Sequence, residues 1–311
     1  MRTRKIRNTV LLLITAIIWG TAFVAQSEGG KDVGPFTFNG IRSVIGGIVL
    51  LPVIILMDKT GRSVKKPVTM KDKKKLTTGG ILCGVILFLG SSLQQLGLYM
   101  GTTAGKAGFL TACYILIVPI LGIFLKKKCG INVWCGVVLT VIGLYLLCMT
   151  EEISFKLCDV VTLSCALLFS LHILVVDYYS PLVDGVRMSC IQFFTCGILC
   201  SIPMFFIEMK HSSEGLMALA SDLTSLEAWI PILYAGILSC GVGYTLQIIG
   251  QEGLNPTIAS LLMSLESVFA VIAGWLILEQ KLTPKEMLGC VVMFIAIVIA
   301  QLPFEKSVAT S

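Results

Sequence analysis

Hydrophobic positions in this chain gather into ten runs of about 20 residues, parted by short polar stretches. A helix that crosses about 30 Å of hydrocarbon at a rise of about 1.5 Å per residue needs about 20 mostly apolar residues. The pattern predicts spans near 8–27, 35–57, 76–99, 107–125, 131–149, 159–178, 187–207, 228–250, 256–278 and 285–302. Helix-start signals stand at the edges of several runs. Thr69 and Asp72 have capping-box spacing before the third, and Thr224 and Glu227 have it before the eighth. Asn255-Pro256 reads as cap and first-turn proline for the ninth, and Thr283-Pro284 with Glu286 combines both devices for the tenth.

Composition agrees with a lipid solvent. Hydrophobic residues make up 56 % of the 311 positions and charged residues 14 %, against about 25 % charged in soluble domains. These figures exclude disorder, a collagen repeat and a coiled coil. Charge location sets an orientation. With the N-terminus inside, inner segments hold 17 Lys and Arg and outer loops hold six, so both termini are expected on the cytoplasmic side of a cell membrane. The net charge of +6 then belongs to loops along one membrane face, with no nucleic acid as partner. Residues Lys65 to Lys75 are expected to meet anionic lipid headgroups. The basic start followed by an apolar run resembles a signal peptide, but Phe23 spoils the small-residue site before a cut after Ala25. Most of the twelve cysteines lie inside apolar runs without a CxxC pair, and are expected as packing residues rather than disulfides or metal ligands.

The two halves superimpose as sequences. Ala16-Ile17-Ile18-Trp19 matches Ala166-Leu167-Leu168-Phe169, and Ile41-Arg42 and Gly47-Ile48 match Ile191-Gln192 and Gly197-Ile198, all at an offset of 150. Leu93-Gln94 and Gly97 match Leu246-Gln247 and Gly250 at 153; Ala107 matches Ala259 at 152, which sets Tyr114 opposite Glu266; Gly136 matches Gly289 at 153. Two five-span units are expected, 1–150 and 151–311. An odd number of spans turns the second unit upside down relative to the first, an arrangement common in secondary transporters. The predicted fold class is an all-α polytopic membrane protein of ten helices in two inverted five-helix repeats.

Several short motifs resemble the drug/metabolite transporter superfamily, in particular EamA-like transporters. Trp19-Gly20-Thr21-Ala22-Phe23 is similar to that family's W-G-x-x-F element, and Arg42 fits its recurrent second-span arginine. Thr102 to Thr111, then Tyr114 and Val118-Pro119, resembles the fourth-span signature of one bacterial subgroup. Leu265-Glu266-Ser267-Val268-Phe269 resembles the ninth-span L-E-P-V-F, with Ser267 in place of proline, and Glu279 with Leu282 resembles the G-E-x-L that follows. The resemblance covers about residues 8–302 and implies transport, often export, of small metabolites such as amino acids.

Charged groups inside lipid cost about 2.5–3.5 kcal/mol on insertion scales and normally face the bundle interior. Arg42, in the second span, has two readings: a fork for a substrate carboxylate, or an arginine snorkelling to the outer surface. Glu266, in mid-span among Ser260, Ser264 and Ser267, must be protonated, paired or facing water. It fits a proton or ammonium carrier, with a structural hydrogen bond as the alternative. His172, Gln94, Gln247, Trp19, Tyr114 and Tyr244 complete the expected solute or proton pathway; each also suits helix packing. Pro119 and Gly105 suggest a hinge in the fourth span. No P-loop, G-x-S-x-G or H-E-x-x-H motif occurs, so neither ATP drive, enzyme chemistry nor a cofactor is expected. The reading is a secondary transporter of a small polar metabolite, with a homodimer left open. A nucleotide-sugar or phosphorylated-metabolite transporter is the rival within the class, and a lipid-acting membrane enzyme the rival outside it.

Overall fold

The structure, a computed structural model, describes residues 2–61, 63, 65–102, 104–127, 130–148, 156–210, 212–277 and 283–302. Among these, every regular element is helical, and ten apolar helices occupy the ten predicted runs. The first five spans are Arg2–Asp32, Pro35–Lys59, Met70–Tyr99, Ala104–Ala112 continued by Tyr114–Phe124, and Ile131–Cys148. The sixth is Leu157–Tyr179, and the seventh is Gly185–Pro203 with a π-helical end at Met204–Glu208. The eighth runs Leu226–Leu233, Tyr234–Tyr244 (π-helical) and Thr245–Gln251; the ninth is Pro256–Met263 and Glu266–Ile277; the tenth is Pro284–Gln301. Nine are long and apolar enough to cross a membrane, and the fifth, Ile131–Leu147, is shorter.

Local chemistry explains the ends. Thr69 and Asp72 close the expected capping box, as do Thr283 and Glu286 behind Pro284. Asn255 accepts from Thr257 N at 2.9 Å beside Pro256. Thr224 departs from expectation. The eighth span begins one residue later than a Thr224 cap requires, at Leu226. The Thr224 hydroxyl instead donates to Ser221 O at 2.6 Å, closing a helix over Ser213–Asp222 that the 20-residue criterion passed over. That short helix starts on a Ser212 cap and packs Leu219 and Leu223 beside Trp229.

Two sets of equivalent spans pair across the repeats, antiparallel: the second with the seventh and the fifth with the tenth. Between the fifth and tenth, a methyl group on Gly136 would lie 3.0 Å from Ala296 O, and one on Gly143 would lie 3.0 Å from Gly289 O. The 153-residue offset converts one contact into the other. Between the second and seventh, Gly40 faces Gly197 and the Cys190 thiol donates to Gly47 O at 3.6 Å, again one contact seen from either repeat, at offset 150. Each pair can map onto itself in this way only if a pseudo-twofold axis passes between its helices, which is what inversion of the repeats means.

Ion pairs gather at the end where the first helix starts, termed the near end. Glu252 takes both Arg4 (2.6 Å) and Lys65 (2.7 Å), Asp58 takes Arg187 (2.5 Å) and Lys66 (3.2 Å), and Lys127 reaches Asp177 (2.8 Å). Each of these except Lys66–Asp58 joins one repeat to the other. At the far end Lys106 meets Asp159 at 2.6 Å.

Candidate functional site

A buried cavity walled by both repeats lies on the pseudo-twofold axis. All eight residues expected on the pathway line it: Trp19, Arg42, Gln94, Tyr114, His172, Tyr244, Gln247 and Glu266. Gln26, Thr111, Phe169, Ser239 and Met263 join them.

The fourth and ninth spans break at matching places, and the breaks set the centre of the site. Helical hydrogen bonding shortens at Cys113, whose N–H reaches Leu110 O at 3.3 Å, and at Leu265, whose N–H reaches Leu262 O at 3.4 Å. Tyr114 and Glu266 are the first residues of the half-helices that follow. They are repeat counterparts, and the Tyr114 hydroxyl donates to Glu266 Oε1 at 3.2 Å. A contact between counterparts sits on the axis, where both repeats present it alike. The ninth span therefore bends without the family's proline. Ser264 turns its hydroxyl onto Leu261 O (2.8 Å), and Ser267 donates to Gly108 O (3.4 Å). Glu266 is 4 % exposed and, among the described residues, has no cation in reach.

Arg42 is buried rather than turned to the outer surface, with 6 % of its area exposed. Its guanidinium stands 5.4 Å from the Phe38 ring centre, and no described carboxylate pairs with it. Gln94, Gln247 and Ser239 line the same cavity as neutral polar groups. One turn back on the second span, Asn39 donates to Ser91 O at 2.9 Å and keeps its own Oδ1 without a donor. Gln95 likewise donates to Gln26 O at 3.3 Å and keeps Oε1 free. In both amides the carbonyl partner fixes which atom is nitrogen. A buried cation with dipoles for company and no counter-ion is expensive unless a ligand completes it.

The other members divide by their partners. Gln94 donates to Thr111 at 3.0 Å, while its counterpart Gln247 has an unpartnered carbonyl oxygen. The Trp19 N–H is also unpartnered, and its ring packs on Tyr244 with centroids 4.6 Å apart. His172 is tied to Gln192 at 3.1 Å and meets Tyr244 edge-on. Gln192 is the counterpart of Arg42, so the second repeat holds an amide where the first holds a charge. Pro119 lies inside the half-helix Tyr114–Phe124 and Gly105 inside Ala104–Ala112, so the interruption at Cys113 falls between the two residues expected as a hinge. Glu279 and Leu282 lie outside the described residues. Lys106 is engaged with Asp159, and Lys71, Lys73 and Lys74 are exposed at the near end. Sequence reasoning passed over Asn39, Ser91 and Ser92. A signal was present, since Ser91-Ser92 precedes Gln94-Gln95 in an otherwise apolar run.

The profile of the EamA-like transporter family matches residues 7–149 and again 156–301. The chain belongs to the EamA-like transporter family. Each match takes in five of the ten spans. An uncharacterized transporter of Archaeoglobus fulgidus is 28 % identical over 295 residues, covering 94 % of this chain and 84 % of that protein. The uncharacterized transporter YoaV of Bacillus subtilis is 21 % identical, covering 95 % and 97 %. A chloroplastic WAT1-related protein of Arabidopsis thaliana is 24 % identical, covering 94 % and 69 %. One solved crystal structure matches with a TM-score of 0.75 at 16 % identity, covering 94 % of this chain and 96 % of that one, a likeness of fold. As an EamA-like protein the chain is a multi-pass membrane protein of the drug/metabolite transporter type.

Proposed function

We propose that this EamA-like protein is a secondary transporter, working as an exporter in the cell membrane with both termini cytoplasmic. Its solute is a small zwitterion such as an amino acid or a related compound. The observation that carries this reading is a buried guanidinium and a buried carboxyl in one cavity. Among the described residues Arg42 has no carboxylate and Glu266 no cation, and the two line the same space. A solute with a carboxylate and an ammonium group supplies both partners and replaces the water it sheds. Gln94, Gln247 and Trp19 offer neutral hydrogen bonds beside them. A phosphorylated solute fits less well, because Arg42 is the one cation among the cavity's lining residues. Movement follows from the inversion: the repeats exchange roles, so the cavity faces each side in turn. The charge distribution in the loops supports the orientation, and export follows the family resemblance.

The test is solute counterflow into liposomes holding the purified protein, run across labelled amino acids. Arg42→Lys keeps the charge but loses the planar fork. It should cut exchange at least about tenfold, the worth of about 1.4 kcal/mol of lost bidentate bonding. Normal rates and normal apparent affinity in that variant would assign Arg42 a structural role alone.

A further inference from the structure

The repeat offset exposes a relation between the two ends of the bundle. An offset of 150 carries Asp58 onto Glu208, Thr37 onto Arg187 and Gly34 onto Asp184. These six residues form two contacts, one at each end of the paired second and seventh spans. At the near end Asp58, closing the second span, holds Arg187 in the first turn of the seventh at 2.5 Å. At the far end Glu208, closing the seventh span, holds the first turn of the second. It accepts from Phe36 N (2.8 Å), Thr37 N (2.9 Å) and the Thr37 hydroxyl (2.6 Å).

The contacts occupy equivalent places but differ in chemistry, and Gly34 shows why. The seventh span carries its own cap, since Asp184 accepts from Arg187 N at 3.0 Å. Its counterpart at the second span is Gly34, which has no side chain to cap with. Glu208 fills that gap from the other repeat. A methyl group on Gly34 would overlap the Glu208 carboxyl carbon, so the glycine makes the room that the carboxylate uses. Orphan N–H groups and the helix dipole both favour an anion there.

We propose that these two contacts are opposed gates. Glu208 holds the far mouth shut by capping the second span in trans, and Asp58 with Arg187 holds the near mouth shut. Arg42 lies on the same helix, less than two turns beyond Thr37, so a solute that engages Arg42 pulls on the helix whose first turn Glu208 holds. The proposal rests on alternating access but not on the identity of the solute, and its test needs no solute.

The test uses Ala22→Cys, on the cavity wall, and an anionic impermeant thiosulfonate applied to sealed vesicles of either orientation. Mass spectrometry reads the peptide that carries position 22. Glu208→Gln keeps the shape but loses one acceptor and the charge, and should speed modification from the far side about five- to tenfold. Asp58→Asn should speed it from the near side by a similar factor. Gly34→Asp serves as an independent check that retains Glu208. Gly34 has extended backbone angles open to any residue (φ −60°, ψ 154°), so the new carboxylate can cap the second span as Asp184 caps the seventh and displace Glu208. It should copy Glu208→Gln. Unchanged rates in all three variants, with intact folding by gel filtration, would overturn the gates while leaving alternating access standing. Modification of position 22 from one side only, in the parent and in all three variants, would overturn both.

Discussion

Gly20 sits where the first span crosses the ninth, and adding one methyl group there tests the site geometry directly. On Gly20 that methyl would lie 2.6 Å from Glu266 O, 2.6 Å from Phe269 Cβ and 2.7 Å from Ala270 N. All three are backbone or Cβ atoms, so no flexible side-chain end can yield. Ordinary contact begins at 3.4 Å, and 3.4 less 2.6 leaves about 0.8 Å by which the helices must part. Overpacking of this kind costs about 1–3 kcal/mol. The separation falls between Trp19 and Glu266, which line the cavity from the two helices, and a displacement of about 1 Å at a reacting or binding geometry can cost about a hundredfold. Gly20→Ala should therefore lower the thermal midpoint of the detergent-purified protein and reduce counterflow by a larger factor than its stability loss explains. Gly108→Ala is the control, because its methyl would meet nothing closer than the Ser267 hydroxyl at 3.7 Å. It should hold or raise stability through the better helix propensity of alanine. A Gly20→Ala protein as stable and active as its parent would show that the first and ninth spans do not approach this closely, and the account of the cavity would fail with it.

Further expectations rest on the charges in and around the cavity. Asn39→Asp places a carboxylate one helical turn from Arg42. At about 6 Å and an effective dielectric of about 20 the attraction is about 3 kcal/mol, so apparent solute affinity measured by counterflow should fall about a hundredfold; unaltered affinity would mean that Arg42 does not receive an anion. Glu266→Gln keeps the bond from Tyr114 but cannot ionise, and should lower apparent solute affinity and abolish net transport driven by a pH gradient; wild-type affinity and pH dependence would reduce Glu266 to a structural group. Cysteines introduced in 58–75 should be shielded from an impermeant reagent in intact cells and those in 208–226 should react, and the reverse labelling would invert the assigned orientation.

The ten spans were legible because a helix in lipid must be about 20 residues long and apolar, and because Thr69, Asn255 and Thr283 mark their starts with side-chain chemistry. The cavity was legible for a related reason. A polar residue such as Gln94 or Glu266 is too costly against lipid to sit anywhere but inside, so its sequence position already selects the interior. What escaped were features that depend on neighbours distant in sequence. Thr224 had correct capping spacing, yet it is spent on ending a surface helix. Asn39 looked like any residue near a helix start until Ser91 O fixed its amide. The bend before Glu266 needed no proline, because the hydroxyls of Ser264 and Ser267 take backbone carbonyls as partners. Gly34 carried no signal until Glu208, in the other repeat, was seen to fill its place.

Arg42 without a counter-ion also has an electrical consequence. A fixed positive charge on a helix that shifts between two orientations moves through the membrane potential, and a full crossing is worth about 2.3 kcal/mol per 100 mV. Displacement through a quarter of the field amounts to about 0.6 kcal/mol, close to a threefold change in rate. Under the proposed alternating-access cycle, a zwitterionic solute brings a carboxylate and an ammonium group together and adds no net charge. The loaded and the empty carrier would then feel the membrane potential alike, and voltage would tilt both strokes rather than the return stroke alone.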